Sequence, residues 1–116
     1  MADPGLHRTY HLTPRAWWDA ADPSAPLRAP SLETEGFIHC TDGAAEMVAT
    51  ANRHYAAEAG AFVVLTVDLG RISSPWRVED PGRIYPHIFG PIDRAAIVAV
   101  VDAPRAPDGT FLPFET

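Results

Sequence analysis

The run Phe62-Val63-Val64-Leu65-Thr66-Val67-Asp68 constrains this chain more than any other stretch. It is apolar and β-branched almost throughout, the pattern of a central strand covered on both faces. Ala96-Ile97-Val98-Ala99-Val100-Val101-Asp102 repeats it. Two such strands in 116 residues point to one sheet-based core and a single domain over residues 1–116. With 47% apolar and 21% charged residues the chain can bury that core, which excludes wholesale disorder. Twelve prolines and eight glycines then imply short elements joined by many turns.

The remaining elements fall around those strands. Residues 8–12 read as a first strand, with Tyr10 and Leu12 on one face and His11 on the other. Thr13-Pro14 opens a helix over residues 14–21, where at least one of Trp17 and Trp18 anchors the core. Residues 22–34 hold three prolines and no apolar period, and read as a surface loop. Residues 36–40 form a second strand. A helix follows over residues 43–58, with Ala44, Met47, Val48, Ala51 and Tyr55 as its apolar stripe and Gly60 as its stop. Trp76 to Glu79 alternates with period two, and residues 84–88 extend at an edge or bend because Pro86 cannot donate to a ladder. Asp108-Gly109 signals a hairpin turn, after which residues 110–114 would close the sheet. The order of elements is that of an α+β fold.

A net charge of −6 argues against general binding to nucleic-acid backbones. All nine basic residues are arginine, so a lysine Schiff base is excluded. Cys40 is the single cysteine, which rules out an intrachain disulfide framework and a cysteine zinc cluster. No apolar stretch approaches the roughly 20 residues that span a bilayer. Met1 to Leu6 carry neither a basic leader nor a long apolar run. The expectation is a cytoplasmic protein without a membrane partner.

Two segments carry chemistry: Gly36-Phe37-Ile38-His39-Cys40-Thr41 and Ile84-Tyr85-Pro86-His87-Ile88-Phe89-Gly90-Pro91. Each places one histidine in an apolar run, where an imidazole needs hydrogen-bond partners. His39 and Thr41 share a strand face and can together hold a ribose, phosphate or amide. Equally, His39 can bond a backbone carbonyl while Thr41 caps the next helix. His87, followed by Gly90, fits close ligand approach or a turn tied to the sheet. His11 and Thr13 repeat the His-x-Thr spacing. Glu79, on the face away from Trp76, is a general base or a surface carboxylate beside Arg77 or Arg83. A metal site from His39, His87 and Glu79 would need clustered ligands that this spacing does not supply, so no metal is expected.

Taken together, Tyr10-His11-Leu12-Thr13, the two histidine segments and Trp76-Arg77-Val78-Glu79-Asp80 resemble a small bacterial family, domain of unknown function 952. The resemblance runs from about residue 8 to residue 114. It implies an ADP-ribosyltransferase-like split β-sheet with two main helices, gripping NAD in a cleft. On that resemblance His39, Glu79 and His87 are catalytic, and His11, Thr13, Thr41, Arg77, Arg83 and Tyr85 bind substrate. The implied function is a small enzyme that transfers or hydrolyses a glycosidic bond of NAD or a nucleotide-like molecule. NAD enters as substrate, and no cofactor is otherwise called for. The alternatives are a non-catalytic nucleotide- or metabolite-binding module and a small-molecule tailoring enzyme using histidine acid/base chemistry. Phe89 stands where the family often has tyrosine, which removes a hydroxyl. The oligomeric state is left open.

Overall fold

The computed structural model describes residues 7–115, so the expectation for Met1 to Leu6 lies outside the described residues. In chain order the elements are β1 (Arg8–Pro14), α1 (Arg15–Ala20), α2 (Pro30–Thr34), β2 (Ile38–His39), α3 (Ala44–His54), β3 (Phe62–Asp68), β4 (Trp76–Val78), β5 (Pro86–Ile88) and β6 (Ile97–Asp102). Short 3₁₀ turns lie at Leu69–Arg71 and Arg94–Ala96. The fold is mixed α and β, with two three-stranded antiparallel sheets ordered β1-β3-β6 and β2-β5-β4.

All seven residues of β3 are buried, as its unbroken apolar run requires. Its two faces feed two cores. Val63, Leu65 and Val67 pack toward Ile38, Cys40 and Ile88 of the second sheet. Phe62 and Val64 pack toward Met47 and Ala51 of α3 and toward Phe111. Fully burying each such side chain is worth about 1.5–3 kcal/mol. β1 alternates in the same sense: Thr9, His11 and Thr13 are buried between the sheets, while Tyr10 and Leu12 face the α3 side.

Several elements differ from the sequence expectation. The predicted loop contains α2, started by Pro30 at its first position and Glu33 in its first turn. Five residues are too few for an apolar period to show. Instead of two main helices, among the described residues only α3, with 11 residues, runs beyond two turns. It ends at His54 because Tyr55 leaves helical geometry, well before Gly60. α1 is one short piece in which Trp18 packs on the core and Trp17 stays 42% exposed, its indole donating to the Arg28 carbonyl. Residues 110–114 do not close a sheet. Phe111 makes one isolated bridge to Arg105 and then enters the α3 core.

Candidate functional site

The second sheet arrays its polar residues by register. His39 lies opposite His87, and His87 opposite Arg77, across β2, β5 and β4. Alternation sends their neighbours Ile38, Ile88 and Trp76 to the core and this row to the outer face. Phe37, two residues before His39, stacks on the His87 ring with centroids 4.0 Å apart and meets the His39 ring at 4.8 Å. The Arg77 guanidinium lies 4.4 Å over the Phe89 ring. Partial burial pushes the His87 imidazole below its ordinary 6.5, and the neighbouring His39 adds to the shift.

The His39 Nε2 lies 3.0 Å from the Glu35 carboxylate. A carboxylate only accepts, so the His39 Nε2–H donates to Glu35. Sequence reading missed Glu35. Its only signal is its place four residues before His39, and across the end of α2 and the turn at Gly36 that spacing carries no meaning by itself.

His11 has a different role. Tyr10 and Thr41, two residues beyond the end of β2, exchange both backbone hydrogen bonds, at 2.9 and 2.8 Å, and form an isolated bridge that joins β1 to the β2 segment. A regular antiparallel ladder would next pair Leu12 with His39. The strands part there instead. The His11 Nδ1–H donates to the His39 carbonyl at 2.7 Å and takes the place of the missing Leu12 amide. Burial pushes the His11 imidazole well below 6.5, so it is neutral near pH 7. The residues of β1 that bond β3 are the odd-numbered ones, so the Leu12 N–H and C=O point into the parting, where no ladder bond is formed among the described residues.

The other predicted residues divide. Thr13 is buried beside His11 between the sheets, and Thr41 is buried beneath the bridge. Tyr85 shares the outer face with His87. Its hydroxyl lies 3.3 Å from both the Thr50 hydroxyl and the Arg53 guanidinium, which hold the phenol below its ordinary pKa. Arg83, at φ 55°, donates to the Val78 carbonyl from the turn after β4. Glu79 is exposed and forms no ion pair with Arg77 or Arg83 among the described residues. Gly90 is approached by Ser74, whose hydroxyl donates to the Pro91 carbonyl, rather than open to a ligand. His39, His87 and Arg77 are thus brought together, whereas the His11 ring lies on the far side of the sheet. Cys40 is buried, and its thiol is pushed far up by desolvation.

A recess of about 450 Å³ lies elsewhere, between residues 56–60 and 105–109. Arg105 fills its wall and donates to the carbonyls of Gly60, Ala56 and Gly109, a staple between loops that sequence reading did not see. Among the described residues no group of three histidine, cysteine or acidic side chains is placed to hold a metal.

A family described as "Protein of unknown function (DUF952)" matches residues 12–100, most of the chain and both histidine segments. The chain belongs to this family. The DUF952 match covers β1 from Leu12 onward and runs into β6, so it spans the parting and the His39–His87–Arg77 row alike. Protein CC0527 from Caulobacter crescentus has a similar structure, with a TM-score of 0.73 and 23% identity over 91% of this chain and 94% of that one. A doubly methionine-substituted form of CC0527 matches equally well. At that identity the likeness concerns the fold alone. No curated protein matches the chain. No helix among the described residues is long and apolar enough to cross a membrane.

Proposed function

We propose that this DUF952 protein is an ADP-ribosyltransferase-like enzyme that binds NAD or a related nucleotide where β1 parts from β2. The observation that carries the reading is the isolated Tyr10–Thr41 bridge, beyond which the Leu12 N–H and C=O have no ladder partner among the described residues. One backbone donor beside one backbone acceptor matches a planar carboxamide, such as that of nicotinamide, through two hydrogen bonds. His39 on the outer face and the Tyr85 hydroxyl offer partners for ribose hydroxyls, while Thr41 lies buried at the bridge. Arg77 and Arg83 have no carboxylate partner among the described residues and suit a pyrophosphate.

The chemistry follows from charge. The bond between the ribose anomeric carbon and the nicotinamide nitrogen breaks, and its electron pair leaves with nicotinamide. Positive charge builds on the ribose, where Glu35 or Glu79 lowers its energy. Water or an acceptor hydroxyl forms the new bond to that carbon and gives its proton to the His39 Nδ1, whose ring is oriented by Glu35. His87 stays neutral and does not repel the developing cation.

The test is thermal stabilisation of wild type, His39→Ala and Glu35→Gln by NAD, ADP-ribose, nicotinamide, AMP and CoA, followed by assay for released nicotinamide. NAD or ADP-ribose should raise the melting temperature by several degrees, with the shift lost in His39→Ala. No shift from any nucleotide defeats the proposal. Binding without nicotinamide release assigns the site to a non-catalytic module, a reading favoured by the absence, among the described residues, of an ion pair between Glu79 and either histidine.

A further inference from the structure

β6 is an edge strand. Its even-numbered residues turn their backbone groups away from β3, since Ala99, Val101 and Ala103 lie opposite the β3 positions that bond toward it. The N–H and C=O of Val100 and Asp102 are therefore unpaired among the described residues. Natural edges are blunted by charge, proline, brevity or a cover. β4, the edge of the other sheet, has three residues and carries Arg77. β6 has six, and its first five are apolar. Val98 and Val100 remain 36% and 41% exposed. The bulge opposite Thr66 and Val67 bends only the start of the strand and leaves Ala99 to Asp102 regular.

We infer that β6 pairs antiparallel with β6 of a second copy of this chain, about a two-fold axis through Val100. This register is self-complementary. Val100 of each copy exchanges two backbone hydrogen bonds with Val100 of the other, and Ala99 lies opposite Val101. Asp102, already held by Arg15, lies opposite Val98, so no two like charges face each other. The two three-stranded sheets become one six-stranded sheet, β1-β3-β6-β6-β3-β1. A strand edge is a small interface, so the dimer is reversible and forms at about 0.1 mM or below.

Sedimentation velocity of wild type, Val100→Lys and Leu112→Lys over a concentration series tests this. Val100→Lys sets two ammonium groups opposite each other on the axis and should weaken association at least about tenfold. Leu112 is 40% exposed away from β6, and Leu112→Lys should associate as wild type does. Unchanged circular dichroism and melting temperature of the Val100→Lys monomer exclude misfolding as the cause. If that variant does misfold, Val98→Glu, at a bulge residue outside the β3 ladder, sets a second carboxylate opposite Asp102 at the same interface and should weaken association likewise. A wild type that stays monomeric throughout, or a dimer indifferent to the charge placed at Val100 or Val98, overturns the inference.

Discussion

A buried imidazole between two sheets needs a reason, and at His11 the reason is a backbone carbonyl. Once β1 leaves β2, the His39 oxygen has lost its ladder donor, and an unpaired buried carbonyl costs about 1–3 kcal/mol. The His11 Nδ1–H meets it at 2.7 Å. His11→Ala should therefore lower stability by about 2–4 kcal/mol, from the lost bond and the cavity together, in urea denaturation. A loss under 1 kcal/mol would show that water replaces the ring and that His11 is free for a ligand. Arg105 poses the same problem for three carbonyls at once. Arg105→Ala should cost about 3 kcal/mol, and Arg105→Lys should recover little, because one ammonium cannot span a fork of three acceptors. Gly109, at φ 97°, sits under this staple, and a Cβ there would lie 2.5 Å from the Ala56 oxygen. Gly109→Ala should destabilise by about 1–3 kcal/mol in the same measurement, from strain and clash together.

At the scale of elements, the outer face of the second sheet acts as one unit. Phe37 supplies the surface that dries the His87 ring, and desolvation is the main cause of that ring's low pKa. Phe37→Ala should move the His87 titration, followed by NMR of the imidazole protons, up toward 6.5. His39→Asn should move it the same way by a smaller amount, since the His39 charge is the second cause. An unmoved titration in both variants would mean that the row does not pack as a unit. Much of this unit was legible in the sequence. Period-two alternation separated His39 from Cys40 and Arg77 from Trp76, and the apolar runs located β3 and β6. The pairing of β2 with β5 was not legible, because a two-residue strand and a three-residue strand leave no period to read. Neither Glu35 nor Arg105 could be found, since each acts through partners whose positions depend on the tertiary fold. The parting of β1 from β2 is invisible for a related reason: His11 looks alike whether its partner is a ligand or a carbonyl.

For the whole molecule these local choices combine into a dependence of stability on pH. A histidine whose folded pKa lies below its unfolded value binds protons more readily in the unfolded chain. Above about pH 6.5, the ordinary histidine value, His11 is neutral in both states and adds no slope. As pH falls through that value the unfolded chain takes up a proton that the folded core refuses. Stability then drops by up to about 1.4 kcal/mol per pH unit per such group, until the pH reaches the depressed folded pKa. His87, more exposed, adds a weaker slope of the same sign. Carboxylates behave differently. Hydrogen bonds from Ser24 to Asp22 and from Thr110 to Asp108 hold these two below 3.8, so their contribution is lost only in more acidic solution. Between pH 7 and 5 the histidines therefore dominate the slope. Unfolding free energy measured in urea should fall over that window for wild type and fall less steeply for His11→Asn, which keeps a donor for the His39 carbonyl but cannot titrate. Equal slopes in the two proteins would mean that His11 is protonated in the folded state and that the parting of the strands is held by a charged ring.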